Sequence, residues 1–140
     1  QNSQAQRIQQ AGAVNAFVHH ILTLDPLANV IVLGDFNDFP FSTSLAALQG
    51  GILTNVLDQI PEAERYTYIF EGNSQALDHI LVSDNLLQTS LDEVDIVHLN
   101  AEFAEATRPT DHDPVMARFS FEEIRHAIYL PILSRATPPE

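Results

Sequence analysis

The chain has 140 residues, enough for one domain with a real core, and 45% hydrophobic against 18% charged residues is a globular composition. A formal net charge of −13, with only six Lys and Arg in all, argues against broad electrostatic capture of nucleic acid or anionic membrane and suits hard divalent cations instead. There is no cysteine, which excludes disulfides and thiolate chemistry, and no apolar run is long enough to cross a bilayer.

The polar start Gln1-Asn2-Ser3-Gln4 is unlike a signal peptide, and its lack of Met suggests a piece of something longer. Ile8, Ala11, Val14, Val18 and Ile21 or Leu22 recur at helical spacing, which predicts one amphipathic helix over Ser3–Leu24 lying on a sheet and ended by Asp25-Pro26. His19 and His20 fall on this helix with no third ligand near in sequence and read as solvated. Val30-Ile31-Val32-Leu33 predicts a strand buried on both faces, running into Gly34-Asp35-Phe36-Asn37-Asp38. Ligands gather at the carboxyl ends of strands in α/β proteins, so Asp35 and Asn37 stand where a site is expected; an ordinary Asx-rich turn is the bland alternative.

Pro40 to Ser44 offers capping hydroxyls to a short helix over Leu45, Ala46 and Leu48, stopped by Gly50-Gly51. A strand or turn follows near Ile52–Val56. Tyr66-Thr67-Tyr68-Ile69-Phe70 alternates as a strand, and Glu71 to Ser74 reads as a hairpin turn. In Leu77-Asp78-His79-Ile80-Leu81-Val82 an acid and an imidazole interrupt an apolar strand, where an unpaired charge would cost several kcal/mol. Ser83-Asp84-Asn85 can open a turn of helix, and Val94–Leu99 and Val115–Phe119 read as strands. Between them lies the polar loop Arg108 to Pro114. The Pro-containing segment 122–140 is expected to lie outside a domain formed by residues 1–121.

Three polar clusters thus fall at strand edges: Asp35/Asn37, Asp78/His79 and Asp111/His112. Hydrolysis of phosphate esters needs such groups, with carboxylates for a divalent metal, an amide for a phosphate oxygen and a histidine oriented by a buried acid. Asp78 is the natural partner of His112, fixing its tautomer; a salt bridge to a base such as Arg108 is its alternative.

In this order, Gly34-Asp35-Phe36-Asn37, Leu77-Asp78-His79-Ile80-Leu81-Val82-Ser83 and Thr110-Asp111-His112-Asp113-Pro114-Val115 resemble the endonuclease/exonuclease/phosphatase superfamily, the DNase I-like fold. Arg65 to Gly72 and Arg108-Pro109 look closest to its large secreted bacterial nucleases. The resemblance implies an α/β chain forming the C-terminal half of a two-sheet sandwich, with a mixed β-sheet and helices packed on its outer face. It implies a Mg²⁺- or Mn²⁺-dependent hydrolase, with Ca²⁺ a further choice, acting on DNA or RNA; a phosphatase or phospholipase of the same superfamily is an alternative.

On this resemblance Asp35 orients or deprotonates the attacking water and shares in metal binding. Asn37 contacts the phosphate, Asp111 contributes to the metal site, His112 acts at the scissile phosphate, and Asp78 orients His112. His79 is expected to pack, and Asp38 and Asp113 to cap loops. Tyr66 and Tyr68 could stack on a base, with at least one of them expected in the core. The family's first half, with its Glu metal ligand, has no counterpart here, so the chain alone is expected to be nearly inactive. An exposed apolar sheet face would then drive self-association or await a partner piece.

Other readings differ in class. Gly34-Asp35-Phe36-Asn37-Asp38 also fits the opening motif of calcineurin-like metallophosphatases, whose downstream Asn-His segment is absent. A non-catalytic Ca²⁺-binding interaction module would explain the acidic loops, but not the acid–histidine order. Export from a bacterial cell is suggested by the absence of cysteine, the acidity and the terminal segment.

Overall fold

A computed structural model describes residues 2–121. The element order is α1 (Asn2–Leu24), β1 (Ile31–Asp35), α2 (Thr43–Gln49), β2 (Thr54–Asn55), β3 (Tyr68–Phe70), β4 (Asn73–Gln75), β5 (Asp78–Val82), α3 (Asp84–Thr89), β6 (Leu91–Ile96) and β7 (Val115–Phe119), with three short 3₁₀ turns between. The expected 122–140 tail lies outside the described residues.

β5 is the axis of the fold. It lies between β1 and β2 in a three-stranded sheet, while β3–β4 and β6–β7 form separate two-stranded ladders. All these pairings are antiparallel, in place of the mixed pairing expected for the sheet. Ile80, Leu81 and Val82 of β5 are buried because both of its faces are covered. On one face Leu81 meets Val18 of α1 and Leu45 and Leu48 of α2, with Val30 and Val32 at the margin. On the other, Ile80 and Val82 meet Val56, Leu57, Ile60, Leu86 and Ile96, with β6 and β7 residues packed around them.

The expectation that β1 is buried on both faces fails. Ile31 and Leu33 are 42% and 65% exposed. They share a face with their cross-strand partners Val82 and Ile80, but the cluster over β5 does not reach outward to this edge strand. α1 forms as predicted, yet only Val18 of its stripe is fully buried; Val14 is exposed. Its tether is polar as well as apolar, since the Asn15 side chain donates to Leu48 O at 2.8 Å.

Local chemistry sets the other boundaries. Ser42 caps α2, its hydroxyl accepting from Leu45 N at 3.2 Å, and Gly50 ends the helix at φ 49°. Glu71 and Gly72 both have positive φ, which makes the β3–β4 connection a two-residue primed turn and frees Asn73 to Gln75 to pair as β4, a strand the sequence pattern had placed in the turn. β6 begins and ends earlier than the predicted Val94–Leu99. Its continuation is diverted because Asp113 Oδ1 accepts from the backbone N–H groups of Leu99, Asn100 and Ala101, at 3.1, 2.7 and 2.9 Å.

Candidate active site

The register of β1 on β5 sets Asp35 directly opposite Asp78. Paired residues of an antiparallel ladder project to the same face, so two carboxylates meet at the end of the sheet. His112, from the loop before β7, closes the group: its Nδ1 lies 2.6 Å from Asp78 Oδ2. One donor atom from each of Asp35, Asp78 and His112 lies within 4.8 Å of the others. Since an ionised carboxylate only accepts, the short contact puts a His112 proton on Nδ1 and leaves Nε2 without a partner among the described residues.

The acid is itself held from below. Thr67 is fully buried, and its hydroxyl accepts from Leu77 N at 3.1 Å and Asp78 N at 3.3 Å. Its carbonyl takes Asp113 N at 2.7 Å, so one threonine ties the loop of His112 to the strand of Asp78. Tyr68 stacks on the His112 ring at 4.8 Å between centroids, and Asn100 Nδ2 donates to His112 O at 2.8 Å. Arg108 does not take the alternative role of neutralising Asp78; its Nη1 is directed at the Asn100 and Ala101 carbonyls.

Asn37 follows Asp35 in a tight Asx turn. Its backbone N–H donates to Asp35 Oδ1 at 2.8 Å, and its φ of 49° is one that Asn tolerates better than most side chains. The turn is anchored by its other neighbours. Asp38 accepts from the Ser44 hydroxyl and from Phe39 N, and lies 3.3 Å from Arg7 Nε; although burial alone would raise its pKa, these contacts hold its carboxyl below the usual range.

His79 packs, as expected, and does not reach the site. It is 1% exposed, receives Asn55 Nδ2 on Nδ1 and donates from Nε2 to Asp38 O, an arrangement that suits the neutral ring; burial pushes its pKa down. Asp113 caps a loop and also pairs with His98 at 2.9 Å. Burial again works to raise its pKa, but the His98 contact and three backbone N–H groups outweigh this and lower it. His19 and His20 are exposed, as expected for a solvated face.

Asp111 is not brought into the group formed by Asp35, Asp78 and His112. It is exposed and lines a separate concavity with Glu105, Arg108, Pro109 and Thr110. The donor set fits an oxygen-seeking divalent ion in part. It offers two carboxylates and an imidazole, and one Asp78 oxygen is already committed to His112; an ion that takes six oxygens would draw the remainder from water, substrate or groups beyond these residues.

Thr67, Asn100 and His98 were not singled out as site residues from the sequence, and Tyr68 was named only as a residue that could stack on a base. Only the aromatic alternation at Tyr66 and Tyr68 carried any signal; the buried threonine and the asparagine are ordinary until their partners are known.

The chain is thus an α/β half-sandwich with a carboxylate pair and an acid-held histidine at the open end of its sheet. The chain belongs to the endonuclease/exonuclease/phosphatase family, whose model matches residues 1–108. Among solved structures it is similar to the 3′ phosphatase NExo from Neisseria bound to product DNA hairpin, with 25% identity and a TM-score of 0.61, covering 81% of this chain and 52% of that one. It is also similar in fold to the mannosyl-6-phosphatase Bt3783 of Bacteroides thetaiotaomicron, with 23% identity and a TM-score of 0.59, over 82% of this chain and 46% of that one. The chain therefore spans about half the length of these structures. No curated protein matches it in sequence.

Proposed function

We propose that these residues are the histidine-bearing half of a divalent-metal-dependent phosphoric ester hydrolase that cleaves DNA or RNA by attack of an activated water. The observation that carries this reading is the His112–Asp78 pair opposite Asp35. In this scheme Asp35 takes the proton of, or orients, the attacking water. Asp78 keeps the His112 proton on Nδ1, so that Nε2 exchanges a proton or hydrogen bond with the scissile phosphate as charge develops there. The Asn37 amide contacts a non-bridging oxygen. Asp35 and the free oxygen of Asp78 would hold Mg²⁺ or Mn²⁺, with Asp111 completing the site only if its loop closes. An ion held there would supply charge neutralisation for phosphate oxygens and acidify water.

Nucleic acid as substrate is supported by the likeness to a 3′ phosphatase bound to a DNA product. The same likeness favours a second reading, removal of a terminal phosphate rather than cleavage within the strand. We also infer that a further segment completes the domain, which is supported by the exposed Ile31 and Leu33 and by the half-length match. Export from a bacterial cell belongs to the same proposal and rests on the sequence alone.

The test is hydrolysis by the full-length protein containing these 140 residues, with Mg²⁺ or Mn²⁺, on plasmid DNA and on a 3′-phosphorylated oligonucleotide. His112→Ala is expected to lower the rate roughly 10²–10⁴-fold, the usual contribution of a general acid–base group. Phosphate release without strand cleavage would favour the second reading. Metal-independent turnover, or an unimpaired His112→Ala variant, would overturn the mechanism.

A further inference from the structure

The His112–Asp78 arrangement occurs twice. His98 Nδ1 lies 2.9 Å from the buried Asp113 carboxylate, and its ring stacks on Tyr66 with centroids 4.2 Å apart. His112 Nδ1 lies 2.6 Å from Asp78, and its ring stacks on Tyr68. Each histidine side chain is 24% exposed, and for neither does Nε2 have a hydrogen-bond partner among the described residues. Thr67, between the two tyrosines, is fully buried, and Tyr68 also stacks with Phe70. The two imidazoles thus stand against rings that are two residues apart in one short segment.

Asp113 stands next to His112 in the chain, and Asn100, two residues after His98, donates to the His112 carbonyl, so the two pairs are parts of one loop assembly. Cations to meet a second phosphate are otherwise scarce. Of the four arginines among the described residues, Arg7, Arg65 and Arg118 are ion-paired with carboxylates, and Arg108 is directed at backbone carbonyls. An imidazolium that gives Nδ1–H to Asp113 and keeps Nε2–H for a ligand would supply one.

We propose that His98 is a second phosphate-binding imidazole, which holds the phosphate adjacent to the scissile one and so makes the site select polynucleotides over small phosphate esters. This rests on the nucleic-acid reading of the site. Its test compares wild type, His98→Gln and His112→Ala full-length protein on a single-stranded oligonucleotide and on bis(p-nitrophenyl) phosphate, and follows ¹³C-labelled histidine ring signals while the dinucleotide pTpT is added. His98→Gln keeps a donor for Asp113, and is expected to raise KM for the oligonucleotide about tenfold more than KM for the small ester, with the His98 ring signals of wild type shifting on pTpT. Equal effects on both substrates, or an unchanged oligonucleotide KM, would overturn the proposal and leave His98 as a loop-capping residue. If wild type hydrolyses neither substrate, the proposed function falls, and His98 is then decided by pTpT: shifted ring signals support phosphate binding there, and unmoved ones overturn it.

Discussion

Thr67 shows how much of the site depends on one uncharged side chain. Its hydroxyl is the side-chain acceptor for two backbone N–H groups at the entry to β5, and a buried donor left without a partner costs about 1–3 kcal/mol. Thr67→Val keeps the volume and removes that acceptor. It is expected to destabilise the fold by about 2 kcal/mol in urea unfolding, and to lower turnover by loosening Asp78 under His112. His79 sets a different dependence. Burial pushes its pKa below the unfolded value of about 6.5, so the unfolded chain binds the extra proton first as pH falls. Its contribution is therefore complete above about pH 6.5 and declines below it, by at most about 1.4 kcal/mol per pH unit, until the folded ring itself titrates. His79→Gln, which can still meet Asn55 and Asp38, is expected to flatten the unfolding midpoint between pH 7.5 and 5 relative to wild type. Asp113 adds its own loss only below about pH 4, since its folded pKa is lowered from the ordinary carboxylate value.

At the scale of elements, the α1–α2 contact hinges on Gly50. At φ 49° it caps α2, and an added Cβ there would run into the Asn15 amide that bonds Leu48 O. The left-handed backbone costs a non-glycine residue about 1 kcal/mol, and displacing Asn15 loses a hydrogen bond worth about 1 kcal/mol more. Gly50→Ala is expected to lower unfolding stability by about 2 kcal/mol, measured by denaturant titration.

The same scale separates what was legible from what was not. α2 could be read because its signals are local: Ser42 before an apolar run and Gly50 after it. β5 and β7 could be read from apolar pattern, and Asp78 with His112 from the chemistry that a charge in a buried strand demands. The end of β6 could not, because the group that diverts it, Asp113, comes from 12 to 14 residues later. β1 misled for a related reason: a run of β-branched residues reports affinity for apolar surroundings, not whether a neighbour reaches that edge of the sheet. Asp111 was placed by motif analogy alone, and motif order carries no information about which way a loop turns.

For the whole molecule, the apolar edge at Ile31 and Leu33 is the exposed counterpart of a core that ends at β5. Apolar surface at an unpaired strand edge invites association with a second chain. The isolated chain is expected to self-associate with rising concentration in sedimentation velocity, and Leu33→Lys to shift it toward monomer without lowering its thermal midpoint, because Leu33 is 65% exposed. Concentration-independent monomer in the wild-type chain would show that the edge is tolerated as it stands.

β5 also carries a consequence for biosynthesis. Its carboxylate pair with β1 can assemble once Val82 has emerged, but the imidazole that turns that pair toward phosphate chemistry comes 34 residues after Asp78. A nascent chain held at that stage has both acids of the site but not its histidine. Under the proposed mechanism, any capacity to cut a polynucleotide would therefore arise only after the loop that carries His112 had followed.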